Sequence, residues 1–125
     1  MTDTEISKFS GHCLCGSVSF EFSAEPEFPH CCHCDDCRRA SGSVYGSFVY
    51  VSAEALQVTG EMRSYEHQND QSSTMTKYFC PSCGSHIIGT NSKTPERRAI
   101  WVGVINDPTW FKPEVYFYAS KKLPH

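Results

Sequence analysis

The cysteines of this chain fall into three short groups. Cys13–Gly16 contains a Cys-x-Cys-Gly motif, Cys31–Cys37 contains four cysteines, and Cys80–Gly84 reads Cys-Pro-x-Cys-Gly. Eight cysteines in 125 residues are fewer than the ~8–10% that is typical of short chains built on disulfides. The polar, acidic start at Met1–Glu5 does not resemble a secretion signal, so we expect a cytoplasmic protein with reduced thiols. Short cysteine pairs separated by long segments then favour zinc over disulfides.

The first and third groups predict one closed zinc site. In Cys-Pro-x-Cys-Gly, two sulfurs lie on a tight turn, and the glycine can adopt the positive φ that continues the turn. Cys13-x-Cys15-Gly16 is a second turn of this kind. We therefore expect Cys13, Cys15, Cys80 and Cys83 to bind a structural zinc ion, because four thiolates leave no coordination position open.

The middle group predicts a different kind of site. Cys32-x-Cys34-x-x-Cys37 places three thiols within six residues, without an obvious fourth partner. Three protein ligands and an open position are typical of a catalytic zinc ion. We therefore interpret Cys32, Cys34 and Cys37 as a catalytic site.

The exact ligands of the middle group remain open at this point. Cys31, Cys34 and Cys37 form an equally regular Cys-x-x-Cys-x-x-Cys pattern. His30 or His33 can also complete a closed, structural site with four ligands.

Charge and hydropathy exclude two other classes of protein. Eleven basic and fourteen acidic side chains give a net charge of −3, which argues against binding to nucleic acids. Apolar runs reach only a few residues, whereas a membrane helix needs ~20.

Periodicity predicts a mainly β fold with little helix, organised as a single zinc-binding domain over residues 1–125. Segment 17–23 alternates strictly between polar and apolar side chains, as a half-buried strand does. Residues 35–40 are expected to form a short helix, and residues 90–98 an exposed loop. Further strands are predicted at 45–51, 56–58, 62–67, 73–79, 99–104 and 114–118.

Several other side chains allow two interpretations. Arg38 and Arg39 can bind a carboxylate of a ligand, or they can neutralise the charge of nearby thiolates. Phe48 and Tyr50 either line a cavity near the middle cysteines or simply pack in a strand. The pair 97–98, Arg-Arg, is interpreted as solvated charge in a loop.

Four segments together resemble a known family. They are residues 11–18, 32–42, 52–56 and 79–85, and they include all three cysteine motifs. In order and spacing they are similar to the glutathione-dependent formaldehyde-activating enzymes, also called the centromere-protein-V family, which have an Mss4-like fold. The resemblance covers most of residues 11–90 and is looser beyond them.

The resemblance implies small β-sheets around a structural zinc ion and a second, catalytic zinc ion on Cys32, Cys34 and Cys37. It also implies a carbon–sulfur lyase that acts on a small thiol adduct, S-hydroxymethylglutathione, formed from glutathione and formaldehyde. The alternative within the same fold is a non-catalytic zinc module that binds a protein partner, as in Mss4.

Overall fold

Two β-sheets dominate the computed structural model, which describes residues 9–124. The smaller sheet has three antiparallel strands in the order β1-β2-β5. Its strands are β1 (Phe9–His12), β2 (Ser19–Phe22) and β5 (Leu56–Thr59). β2 corresponds to the strictly alternating segment of the sequence.

The larger sheet has seven strands in the order β10-β3-β4-β9-β8-β7-β6. All neighbouring strands are antiparallel except β10 and β3, which are parallel. The strands are β3 (Glu27–Cys32), β4 (Gly46–Ser52), β6 (Arg63–Gln68), β7 (Thr74–Phe79), β8 (His86–Asn91), β9 (Arg97–Trp101) and β10 (Val115–Phe117).

Helical structure is scarce in residues 9–124. The α-helix α1 (Asp35–Ser41) begins after Cys34 and ends at Gly42, whose φ of 73° is left-handed and suits glycine. Single 3₁₀ turns cover Ala53–Ala55, Val102–Val104 and Ala119–Lys121. The prediction of a mainly β fold with little helix is confirmed.

Three strands were not predicted from the sequence. β1 and β8 contain glycine and polar residues, and β3 contains a proline, so none of the three shows a clear alternation. Pairing with neighbouring strands stabilises them instead. The predicted strand 99–104 ends at Trp101, and the predicted loop at 90–98 is shorter, because β8 reaches Asn91 and β9 begins at Arg97.

The side chains of strand β4 point alternately to the two faces of the larger sheet. Val49 and Val51 are buried in the core shared with the smaller sheet, where they meet Phe20 and Phe22. Phe48 lies in a second cluster on the opposite face, with Cys32 and Trp101. Since alternate residues of a strand face opposite sides, one face of the sheet forms the core and the other is free to form a site.

No helix among residues 9–124 has the length and apolar character required to cross a lipid bilayer.

Candidate metal centres and cavity

The sulfur atoms of Cys13, Cys15, Cys80 and Cys83 lie within 4.8 Å of one another. Cys15 Sγ is 3.7 Å from both Cys13 Sγ and Cys80 Sγ. A tetrahedral zinc ion with Zn–S bonds of ~2.3 Å requires sulfurs ~3.8 Å apart. The spacing of this four-thiol cluster therefore fits a zinc ion.

Two tight turns bring these sulfurs together. Gly16 and Gly84 have φ values of 84° and 81°, and each donates its N–H to the carbonyl of the first cysteine of its turn. The N–H groups of Ser82 and Cys83 point at Cys80 Sγ, at 3.3 and 3.5 Å. Such N–H groups stabilise negative charge on a sulfur, as a metal-bound thiolate requires.

Two serine side chains support the four-thiol cluster. Ser17 Oγ lies 3.1 Å from Cys15 Sγ and 3.2 Å from Cys80 Sγ. The hydroxyl and N–H of Ser85, together with backbone contact from Cys15, lower the pKa of Cys83 to about 5. These contacts favour the thiolate form, which is the form that binds metal.

The sulfurs of Cys32, Cys34 and Cys37 form a second cluster, the three-thiol cluster, in which all three lie within 4.8 Å of one another. Cys32 is the last residue of β3, Cys34 is the N-cap of α1, and Cys37 lies in the first turn of α1. The strand end and the helix start therefore bring the three sulfurs together. Cys37 N–H donates to Cys34 Sγ at 3.3 Å, so one thiol of the cluster also caps the helix.

The three thiols strongly affect one another. Hydrogen bonds from Cys32 and Cys37 lower the pKa of Cys34 to about 2. The hydrogen bond with Cys34 raises the pKa of Cys32 to about 11, and contacts with both other thiols raise the pKa of Cys37. Of the three thiols, Cys34 is therefore the one that most readily becomes a thiolate.

The three-thiol cluster does not include the other candidate ligands of the middle group, Cys31, His30 and His33. Cys31 is buried, and its Sγ is 3.7 Å from Ser47 Oγ. His30 packs among aromatic rings, including Phe48 at 5.4 Å, and its Nδ1 contacts the Phe28 carbonyl. Among residues 9–124, no fourth Cys, His, Asp or Glu joins the three thiols, which leaves room for an exogenous ligand.

A cavity of about 280 Å³ opens beside the three-thiol cluster. Cys32 and Cys37 form part of its wall, and Phe48, Tyr50 and Trp101 form an aromatic side. We call this space the substrate cavity, after the role that we propose for it. Its location agrees with one of the two interpretations of Phe48 and Tyr50, because both residues line it.

A smaller cavity of about 230 Å³ adjoins the same three thiols. Its charged lining residues are of both signs: Asp35, Asp36, Asp70, Lys77 and Lys121. Tyr118 lines both cavities, and its hydroxyl donates to Asp70 at 2.9 Å. Tyr118 therefore connects the C-terminal segment to the turn between β6 and β7 at the rim of the site.

Arg38 and Arg39, the predicted ligand-binding residues, line neither of these two cavities. Arg38 is 3.7 Å from Asp35 in the same helix, and Arg39 borders a separate depression with Tyr65 and Phe79. Their role as ligand-binding residues stays a prediction.

The substrate cavity contains two basic residues that the sequence did not single out for this role. Lys77 and Arg97 both line it. Arg97 and Arg98 both lie in β9 and are half-buried, so the interpretation of residues 97–98 as solvated loop charge is wrong. The alternation Arg97-x-Ala99-x-Trp101 is the available signal, since all three side chains line the cavity.

The fold and the two clusters define a β protein with two groups of cysteines that can hold metal ions. The chain belongs to the family of glutathione-dependent formaldehyde-activating enzymes, whose sequence model matches residues 8–121. The resemblance seen in residues 11–90 is thereby confirmed, and the match extends it towards the C-terminus.

Similar proteins occur in fungi. A Penicillium rubens protein that carries the provisional name glutathione-dependent formaldehyde-activating enzyme is 25% identical over 116 residues, or 90% of this chain. A Colletotrichum graminicola protein with the same provisional name is 22% identical over 112 residues, or 87% of this chain. The chain spans 60% and 58% of the lengths of these two relatives.

A crystal structure of a Rhodobacter sphaeroides protein has the same fold. The two chains superpose with a TM-score of 0.64 at 20% identity, over 86% of this chain and 98% of the other. At this level of identity the likeness concerns the fold alone.

Proposed function

We propose that this protein is a zinc-dependent lyase-type enzyme that acts on a thiol adduct such as S-hydroxymethylglutathione, the product of glutathione and formaldehyde. The observation that carries the proposal is the three-thiol cluster, which borders the substrate cavity and has no fourth protein ligand among residues 9–124. Membership of the family supports the same reaction.

We further propose two zinc ions per chain, a structural one on the four-thiol cluster and a catalytic one on Cys32, Cys34 and Cys37. A zinc ion with three protein ligands supplies a Lewis-acidic open position that lowers the pKa of a thiol binding there. None of the eight cysteines, all of which lie in residues 9–124, forms a disulfide, which suits the reducing cytoplasm in which we place the protein.

The chain's own residues hold and shield the reacting groups. Cys32 and Cys37 border the cavity, so a substrate sulfur in it lies beside the cluster. The aromatic rings of Phe48 and Trp101, 4.4 Å apart, exclude water from one side. In the direction of adduct formation, a carbon–sulfur bond forms between the substrate thiolate and the carbon of formaldehyde. The carbon–oxygen double bond becomes a single bond, and the proton lost by the thiol ends on that oxygen.

The proposal is tested by exchange spectroscopy with ¹³C-formaldehyde and glutathione, which measures adduct formation against the spontaneous rate. We expect the zinc-loaded protein to accelerate the exchange and the variant Cys34→Ser to return it to the spontaneous rate. Cys31→Ser is the matched control, because this neighbouring thiol lies outside the cluster, and it should keep the acceleration. A protein with two bound zinc ions and no acceleration would favour the non-catalytic binding module instead.

A further inference from the structure

We infer that Arg97 binds a carboxylate of the substrate, so that the substrate cavity selects thiols that carry a carboxylate. The inference rests on the proposed function, because it places the thiol end of the ligand at the three-thiol cluster. Arg97, Cys32 and Cys37 line the same cavity of about 280 Å³, so a ligand inside it can face all three.

Strand β9 and its neighbour β4 hold Arg97 in a defined position. Arg97 shares its face of the strand with Ala99 and Trp101, which also line the cavity. Its guanidinium carbon lies 4.2 Å from the centre of the Tyr50 ring. Stacking on an aromatic ring leaves the edge of a guanidinium free for hydrogen bonds in its own plane.

Arg97 has no counterion among residues 9–124. No carboxylate in that range forms an ion pair with Arg97, and its buried Nε has no hydrogen-bond partner there. A half-buried charge without a counterion is costly, and an anionic ligand in the cavity supplies the missing charge.

Apart from the thiols themselves, the charged residues that line the cavity also favour an anion. None of its described lining residues is Asp or Glu, and the acidic side chains near the three thiols border the adjoining cavity instead. Lys77 is the second cation, and its Nζ is 2.7 Å from His67 Nε2.

A carboxylate matches this arrangement. A guanidinium offers two parallel N–H donors, which fit the two oxygens of a carboxylate. A ligand held at its sulfur and at its carboxylate is fixed in orientation, and a neutral thiol loses the second contact.

The inference is tested by calorimetric titration of the zinc-loaded protein with 3-mercaptopropanoate and with its neutral analogue 3-mercaptopropan-1-ol. We expect the carboxylate to bind about tenfold more tightly or better. Arg97→Gln should bind both thiols alike. The matched control is Arg98→Gln, because Arg98 is on the other face of β9 and donates to the Pro95 carbonyl, and it should keep the preference. Equal binding of the two thiols to the wild-type protein would overturn the inference.

A second measurement separates this inference from the proposed function. Butanoate has a carboxylate and no thiol, so it probes Arg97 alone. We expect butanoate to shift the ¹H–¹⁵Nε NMR signal of Arg97 in the wild-type protein, and an unchanged signal at saturating butanoate would overturn the inference. A third outcome is that butanoate shifts the signal but 3-mercaptopropanoate binds no more tightly than butanoate. In that case carboxylate binding at Arg97 stands, and the proposed binding of a thiol at the three-thiol cluster fails.

Discussion

At the scale of single residues, Cys34 shows how closely local structure and chemistry are linked in this chain. Its Sγ accepts the Cys37 N–H and so caps the helix that carries Cys37. The spacing Cys34-x-x-Cys37 therefore fixes the helix start and the distance between two thiols together. Cys32, at the end of β3, comes into reach because only one residue separates it from this cap.

The four cysteines of the middle group give a residue-level prediction. Cys32→Ser should reduce the zinc content from two ions per chain to one, because it removes one of the three clustered thiols. Cys31→Ser should keep two zinc ions, since the Cys31 side chain contacts Ser47 instead. Native mass spectrometry of freshly purified protein measures both. Loss of a zinc ion on Cys31→Ser, with retention on Cys32→Ser, would assign the alternative ligand set.

Arg97 illustrates a failure of residue-level interpretation. Two adjacent arginines after a polar segment are normally solvated, but Arg97 and Arg98 both lie in β9 and are half-buried. Of the two, Arg97 is on the side of the strand that lines the cavity. Which side faces a cavity depends on the strands next to β9, and no residue near Arg97 in the sequence reveals them.

At the scale of elements, β4 is the best example of a strand with two functions. One side, with Val49 and Val51, is part of the core, and the other, with Phe48 and Tyr50, lines the substrate cavity. The aromatic and β-branched character of this segment predicts a strand, which the structure confirms. The neighbours β3 and β9 join it through antiparallel pairing.

In strand β1, close packing determines which residue can stand at one position, whereas the residue pattern of β4 predicts the strand. Gly11 pairs with Phe20, and a methyl group on Gly11 would collide with the Phe20 ring and the Val104 carbonyl. The glycine that weakens the strand pattern in the sequence is thus required by the close approach of β1 to the rest of the protein.

We therefore predict that Gly11→Ala destabilises the fold by about 1–3 kcal/mol, the typical effect of overpacking. Thermal unfolding followed by circular dichroism measures the loss as a lower melting temperature. Gly103→Ala is the matched control, because a methyl group there meets no atom within 4 Å, and it should melt close to the wild-type protein. Equal melting temperatures for both variants would show that β1 can move away from Phe20.

At the scale of the whole molecule, the four-thiol cluster links the two sheets. Cys13 and Cys15 follow β1 of the smaller sheet, and Cys80 and Cys83 lie between β7 and β8 of the larger one. A metal ion bound to all four cysteines therefore joins segments about 65 residues apart in the chain. We therefore expect removal of the metal ion to disturb the packing of the two sheets against each other, as well as the local turn.

We predict that Cys83→Ser leaves the protein largely unfolded. A structural zinc site contributes ~10 kcal/mol or more, which is comparable to the entire stability of a small domain. Amide NMR dispersion of the purified variants provides the measurement. Cys37→Ser is the control, and it should lose only the second zinc ion and remain folded. A well-dispersed amide spectrum from zinc-free Cys83→Ser would contradict a structural role of the four-thiol cluster.

The sequence by itself determined the features that depend on neighbouring residues. Examples are the turn at Cys80–Gly84, the capped start of α1 and the alternating strand β2, because spacing and local hydrogen bonds specify them. Only the tertiary structure decided that β3 and β8 are strands and that Arg97 lies in the same cavity as Cys32. The physical reason is that both features depend on pairing between strands that are distant in the sequence. The free energy of such pairing depends on two segments together, so neither segment alone reveals it.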